Sequence, residues 1–143
     1  ANFRTIANRS IVKNALRMQG VEPSQIWLFG ASSDEMKYEF PDVQVYGGYD
    51  TLEEISEYFS VGLCLVDVQG GIQNKVLDYL AINKFAIISE SVYSAFLDDQ
   101  HYKRLLDSPF ILLESEFSWS EVHARYTSEN IGKNQSILFC LQT

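Results

Sequence analysis

Val66-Asp67-Val68-Gln69-Gly70-Gly71-Ile72-Gln73-Asn74-Lys75-Val76-Leu77-Asp78-Tyr79-Leu80-Ala81 is the stretch on which the fold turns. It closes the run Val61–Val66, which is continuously apolar, as in strands buried on both faces. Gly70-Gly71 breaks that run. Val76, Leu77 and Leu80 then recur at helical spacing, predicting a helix from about Ile72 to Ile82 with those three turned inward. Phe85–Ser89 follows as a second buried strand. Strand, helix and strand at these lengths make a parallel crossover unit.

Outward from this unit the same alternation continues. Upstream, Thr5–Gln19 carries Ile11, Val12, Ala15 and Leu16 as an amphipathic stripe and stops at Gly20. Gln25–Phe29 and Val43–Tyr46 read as strands closed by Gly30 and by Gly47-Gly48. Thr51-Leu52-Glu53-Glu54 has the form of a capping box, with Leu52, Ile55 and Phe59 on one face of the helix it opens. Downstream, Tyr93–Leu106 is helical in parts and Phe110–Leu113 is a strand. Ser118-Trp119-Ser120-Glu121 is a second capping box, placing Trp119, Val122 and Tyr126 on one side. The tail from Glu129 to Leu141 is expected to be a last helix. Trp27, Phe29 and Phe96 are assigned to the core. The fold expected is α/β: one Rossmann-like, doubly wound, mostly parallel sheet of about five to six strands with helices on both faces, a single domain over residues 1–143. Such a sheet usually opens with a strand before its first helix, and here Ala1–Arg4 alone is available for it. With no initiating Met, the chain reads as a piece of something longer.

Composition narrows the function classes. A chain of 143 residues with 46% hydrophobic residues supports a real core. Its apolar runs are too short to span a bilayer, and the N-terminus lacks a signal-peptide progression, so a cytoplasmic setting is expected. Net charge is −8 with the basic residues scattered, which disfavours nucleic acid as a partner. Cys64 and Cys140 sit in apolar runs and read as buried thiols of a reducing compartment. His101 and His123 have no partner at ligand spacing and are not expected to be functional.

The chemistry lies where the quoted strand meets the quoted helix. A helix start presents unpaired N–H groups at the positive end of the dipole, where phosphate oxygens bind. Gly70 and Gly71 let a ligand approach the backbone, Lys75 adds a point charge in the first turn, and Asp78 lies three residues on, on the same face. A carboxylate there can accept both hydroxyls of a ribose. Each piece also has a plainer reading: a tight turn for Gly70-Gly71, and an exposed ion pair for Lys75 with Asp78. Their order, buried strand, glycine pair, helix, Lys and then acid, is what favours a site.

That order resembles the donor-site signature of GT-B glycosyltransferases, in particular the group 1 family and its relatives. Lys75-Val76-Leu77-Asp78-Tyr79-Leu80-Ala81 stands where they carry Lys-Val-Leu-Glu and a small-residue helix. Ile82-Asn83-Lys84 then stands for the Gly-Lys-Pro-like turn before the next strand. Val45-Tyr46-Gly47-Gly48-Tyr49 with Leu52–Ile55, and Ile26–Gly30, resemble the upstream strand, glycine and helix. Trp119 with Arg125-Tyr126 resembles the helix after the last strand. The likeness covers most of the chain, but only Gly70–Ala81 is specific. The departures are Asp78 for Glu, Gly70 where the first acid of the pattern falls, Asn83 where glycine is common, and a loosely aligned basic pair, for which Arg4 and Arg9 are nearest.

The resemblance implies the C-terminal, donor-binding half of a glycosyltransferase that builds a polysaccharide or glycoconjugate. Gly70, Gly71, Lys75, Arg4 and Arg9 would hold the diphosphate of a UDP- or GDP-type sugar nucleotide, and Asp78 its ribose. The nucleobase would lie near Gly30, Tyr46 and Tyr49, although plain packing also accounts for the two tyrosines. It further implies metal-independent chemistry and a separate N-terminal domain for the acceptor, through which any association with a membrane face would come. This half would not be active alone. Two other classes stay open: a non-catalytic GT-B-like binding or interaction domain, and a receiver-type signalling domain with Asp67 as phosphoacceptor, for which the early acidic pair and late Lys are missing.

Overall fold

The structure is a computed structural model that describes residues 3–30, 36–66, 72–125 and 137–140, excepting the side chains of 3–8 and 137–140. It is α/β with parallel strands. In chain order the elements are α1 (Phe3–Leu16), β1 (Ile26–Phe29), β2 (Gln44–Val45), α2 (Leu52–Ile55), β3 (Val61–Cys64), α3 (Asn74–Ala81), β4 (Phe85–Ile88), α4 (Glu90–Leu97), β5 (Ile111–Leu113), α5 (Trp119–Arg125) and β6 (Ile137–Cys140).

Strand β1 pairs with β2, and β3 with β4 and β4 with β5, giving blocks of two and three parallel strands. Strand β6 lies between the blocks, parallel to both, so the order across is β2-β1-β6-β3-β4-β5. Ile26–Phe29 runs in register with Ile137–Cys140, and Val61-Gly62 with Ile137-Leu138. The helix expected over Glu129–Leu141 is therefore corrected for its last part: Ile137-Leu138-Phe139-Cys140 is a strand. Four consecutive apolar residues suit a position paired on both edges, and an isolated tail helix would have left much of that surface in water.

The two-residue period of the strands sorts their side chains onto two cores. Ile26, Leu28, Val61, Leu63, Phe85, Ile87 and Leu112 face α1 and α5, where Ile11, Val12, Ala15 and Val122 pack on them. Phe29, Cys64, Ala86, Ile88 and Ile111 face the other side and are covered by Ile55, Phe59, Val76, Tyr79, Val92 and Phe96. Of the inward set expected for α3, Val76 is fully buried and Leu77 and Leu80 are half-buried against the same core, while Tyr79, not in that set, is fully buried with Val76. Tyr79 fits because Gly62 lies beneath it. The Tyr79 hydroxyl donates to the Leu63 carbonyl at 3.1 Å.

The helix boundaries follow from local chemistry. Ser118 Oγ accepts the Glu121 N–H at 3.0 Å, so the capping residue expected for α5 is in place. At Thr51 the box does not form. Its side chain makes no cap, and Glu54 instead accepts the Asp50 N–H at 3.3 Å. The helix there is one turn long and passes into a 3-10 turn at Ser56–Tyr58. Helix α3 ends in a Schellman arrangement, with Asn83 N–H donating to Leu80 O and Lys84 N–H to Tyr79 O, both at 3.0 Å. Asn83 has φ +62°, the left-handed conformation that glycine most often supplies at this point. Trp27, expected in the core, is only partly buried; its ring stacks on Tyr58 and lies near Tyr46 at 5.8 and 5.1 Å between centroids.

Candidate functional site

In parallel sheets the carboxyl ends of the strands form the ligand-binding edge, because helix starts and strand-to-helix loops collect there. Here that edge is built by the residues after Cys64, Ile88, Leu113 and Phe29. Helix α3 begins at Asn74 with Gln73 as its N-cap, in extended geometry (φ −83°, ψ 109°), and the Gln73 side chain makes no cap bond. Lys75 is half-buried in the first turn and on the side of β3, close enough that its charge acts on the Cys64 thiol. Burial pushes that thiol up to about 11, and Lys75 pulls in the opposite direction. Cys64 is a free, buried thiol, and nothing is described of the Cys140 side chain.

Asp78 is exposed, one turn along α3 from Lys75. Both residues thus lie on one helix, three positions apart, with the carboxylate the more exposed of the two. Gly70 and Gly71 lie outside the described residues, as does Asp67. Arg4 falls within α1, and nothing is described of its side chain. Arg9, also expected in the diphosphate set, is paired with Glu39. Its Nε stands 2.6 Å from Glu39 Oε2, a close ion pair in which the N–H does not point at the carboxylate. Lys13 joins the same carboxylate at 3.7 Å.

The residues expected around a nucleobase do come together, at the end of β1. Gly30 donates its N–H to Gly47 O at 3.1 Å and has φ +135°. Tyr46 stacks on Phe29 at 4.9 Å between centroids with an interplanar angle of 11°, and Tyr49 meets the same ring edge-on at 6.1 Å. Tyr46 keeps 39% of its surface exposed. With β6 between β1 and β3, this aromatic group and the start of α3 stand about two strand spacings, roughly 10 Å, apart across the sheet.

Several residues at this edge carry no sequence motif. Ser89, which closes β4, and Ser91 in the first turn of α4 both donate to the Val66 carbonyl, at 2.7 and 2.8 Å. The pattern strand-Ser-Glu was available as a helix-start signal, but the bond to Val66 spans more than twenty residues and leaves no local trace. Glu90 and Glu114 follow the ends of the adjacent strands β4 and β5. Partial burial raises the Glu114 carboxyl above its usual range, and the charge of Glu90 adds to this. Glu114 also lines an open depression of about 320 Å³ with Asn14, Arg17, Met18, Gln19, Ser115 and Phe117. Met18 and Phe117 belong to the core on the α1 side, so that depression lies across the sheet from Lys75. Among the described residues no three His, Cys, Asp or Glu side chains gather as a metal site would require. No described helix is long and apolar enough to cross a membrane.

No protein-family model matches this chain, and no curated protein or solved structure does so with significant similarity.

Proposed function

We propose that this chain is the nucleotide-sugar-binding half of a GT-B-type glycosyltransferase, working on polysaccharide or glycoconjugate in the cytoplasm together with a separate acceptor domain. In this reading the sheet is Rossmann-like and doubly wound. The chain winds outward from β1 to β2 on one side and from β3 through β4 to β5 on the other, so the order reverses between β1 and β3. The place an opening strand would occupy is held by β6. Ligands of such sheets bind at that reversal. The observation that carries the reading is that α3 starts there, with Lys75 in its first turn beside the end of β3 and Asp78 exposed one turn on.

The diphosphate of a UDP- or GDP-type sugar nucleotide would meet the α3 start and Lys75, with Gly70 and Gly71 completing the cradle. Asp78 would accept the ribose hydroxyls, and the base would lie against Tyr46 beside Gly30 and Tyr49. Charge that develops on the departing diphosphate would be met by Lys75 and by the helix dipole, without a proton donor. Such a domain contributes leaving-group stabilisation and needs the acceptor half to complete a hexosyl transfer.

Calorimetric titration with UDP and GDP tests this directly. Saturable binding of one of them is expected, weakened about 10- to 100-fold by Lys75→Ala and about tenfold by Asp78→Ala, as for hydrogen bonds to charged groups. Arg9→Ala should leave affinity unchanged, since Glu39 holds that guanidinium. A folded chain that binds neither nucleotide would sink the donor-site reading and leave a non-catalytic interaction domain of the same fold.

A further inference from the structure

The depression of about 320 Å³ beside Glu114 lies on the α1 side of the sheet, away from Lys75, and takes no part in the donor site. Two segments far apart in the chain build it. One is the end of α1 and the turn beyond it, where Arg17 N–H donates to Asn14 O at 3.2 Å and Met18 N–H to Ala15 O at 3.1 Å. The other is the 3-10 turn Glu114–Glu116 after β5. Phe117 N–H closes that turn on Glu114 O at 3.4 Å, and Glu116 Oε1 accepts the Leu113 N–H at 3.1 Å. Backbone bonds thus hold both walls, and the buried Met18 and Phe117 supply the apolar part of the lining. The volume is at the small end of ligand clefts, which run to about 300–1,000 Å³.

The rest of the lining is polar: Asn14, Arg17, Gln19, Glu114 and Ser115. Among the described residues none of these five side chains makes a hydrogen bond or an ion pair. Arg17 and Glu114 therefore bring opposite charges to one small hollow without neutralising each other. Burial raises the Glu114 carboxyl and the charge of Glu90 raises it further, so a cation beside this carboxylate would offset both. Arg17 presents a planar fork of donors that matches a carboxylate. The amides of Asn14 and Gln19 and the Ser115 hydroxyl can bond to whatever lies between.

We propose that this depression is a binding site for a small zwitterion, with the ammonium of the ligand on Glu114 and its carboxylate on Arg17. A simple anion would have Arg17 alone, against a net charge of −8. A simple cation would leave the guanidinium unanswered. Glu114 is the stronger anchor, because it is partly buried while Arg17 is exposed and its charge is screened. The site is independent of the one proposed for the nucleotide.

The test is titration of the isotope-labelled chain, followed by amide NMR, with glycine, β-alanine and γ-aminobutyrate, a series that steps the distance between the two charges. Acetate, methylammonium and glucose are the single-charge and neutral controls. At least one zwitterion is expected to move the amides of residues 14–19 and 114–117 saturably, with a dissociation constant of about 1 mM or below. Glu114→Gln should weaken binding about 10- to 30-fold and Arg17→Gln about three- to tenfold, the size of one hydrogen bond to a charged group. Glu114→Asp, which keeps the charge but draws it back by one methylene, should favour a longer zwitterion over a shorter one relative to the parent. The proposal is overturned if none of the three zwitterions moves those amides, or if a control binds as tightly as the best of them. Parent-like affinity in a folded Glu114→Gln or Arg17→Gln chain overturns it too. Should either of these fail to fold, Glu114→Asp decides: an unchanged preference among the three zwitterions is then the refuting result.

Discussion

A methyl group at position 62 has no room. A Cβ added to Gly62 in β3 would lie 2.5 Å from three ring carbons of Tyr79, about 1 Å or more inside the roughly 3.5–4.0 Å of ordinary carbon contact. The ring cannot swing clear. Tyr79 is fully buried, its hydroxyl is bonded to Leu63 O at 3.1 Å, and its edge meets Phe59 with 6.2 Å between centroids. Either α3 lifts from the sheet or the hydroxyl loses its acceptor. Overpacking of this kind costs about 1–3 kcal/mol, and stranding the hydroxyl adds about 1–3 kcal/mol. Gly62→Ala is thus expected to cost about 3 kcal/mol, or a fall in Tm of about 6–12 °C for a chain of this size. Urea denaturation followed by circular dichroism measures it, and a double-mutant cycle isolates the cause. In a Tyr79→Leu background the same substitution should cost less than about 1 kcal/mol. An equal penalty in both backgrounds, or a Gly62→Ala chain as stable as the parent, refutes the reasoning. On the donor-site reading proposed above, the lifted helix, which carries Lys75 and Asp78, should also weaken nucleotide binding in the single variant.

The raised Glu114 carboxyl has a definite sign: a group that holds its proton more tightly folded than unfolded contributes stability below its unfolded pKa and loses it as pH rises through the folded value. Glu114→Gln should therefore raise Tm modestly at pH 7, with solvent screening keeping the gain small, and give no gain at pH 4; a gain that does not change with pH would point to another cause. Cys64, pushed up to about 11 and buried, should resist iodoacetamide at pH 8 until the chain is unfolded, so peptide mapping that finds Cys64 alkylated rapidly in the native state would contradict the placement of β3. At Asn83, with φ +62°, alanine should cost about 1 kcal/mol and glycine should be neutral or stabilising; equal tolerance of both would mean that α3 does not end in the left-handed turn.

Local pattern was enough where one segment's chemistry decides the outcome. The apolar run at Val61 and the one at Phe85 are strands because nothing polar interrupts them, and Ser118 caps α5 because its oxygen reaches an amide three residues away. Lys75 and Asp78 fall on α3 as their spacing required. What local pattern could not supply were relations between distant segments. Ile137–Cys140 has the same character as β4, but its slot exists only because β1 and β3 leave one between them. Tyr79 is fully buried beside Val76, deeper than the Leu77 and Leu80 that spacing favoured, because a glycine seventeen positions earlier clears the space for its ring. Thr51 has the right neighbours for a capping box, yet a helix of one turn gives little reason to keep it. The Ser89–Val66–Ser91 contact and the pairing of Arg9 with Glu39 are likewise invisible until the chain is folded.

The position of β6 bears on how the protein comes into being on the ribosome. Translation delivers about 5–20 residues per second from the N-terminal end, so β1 with β2, and β3 with β4 and β5, emerge before Ile137 does. Each block then carries an unpaired edge, a ready template for another strand. Those two edges are the ones that β6 later bridges, and pairings over such sequence distances form slowly. Of the strands described, the one made last is the one that joins the two blocks. A nascent chain stalled before residue 137 would hold two half-sheets with facing vacancies, open to a strand from a neighbouring copy in the same polysome.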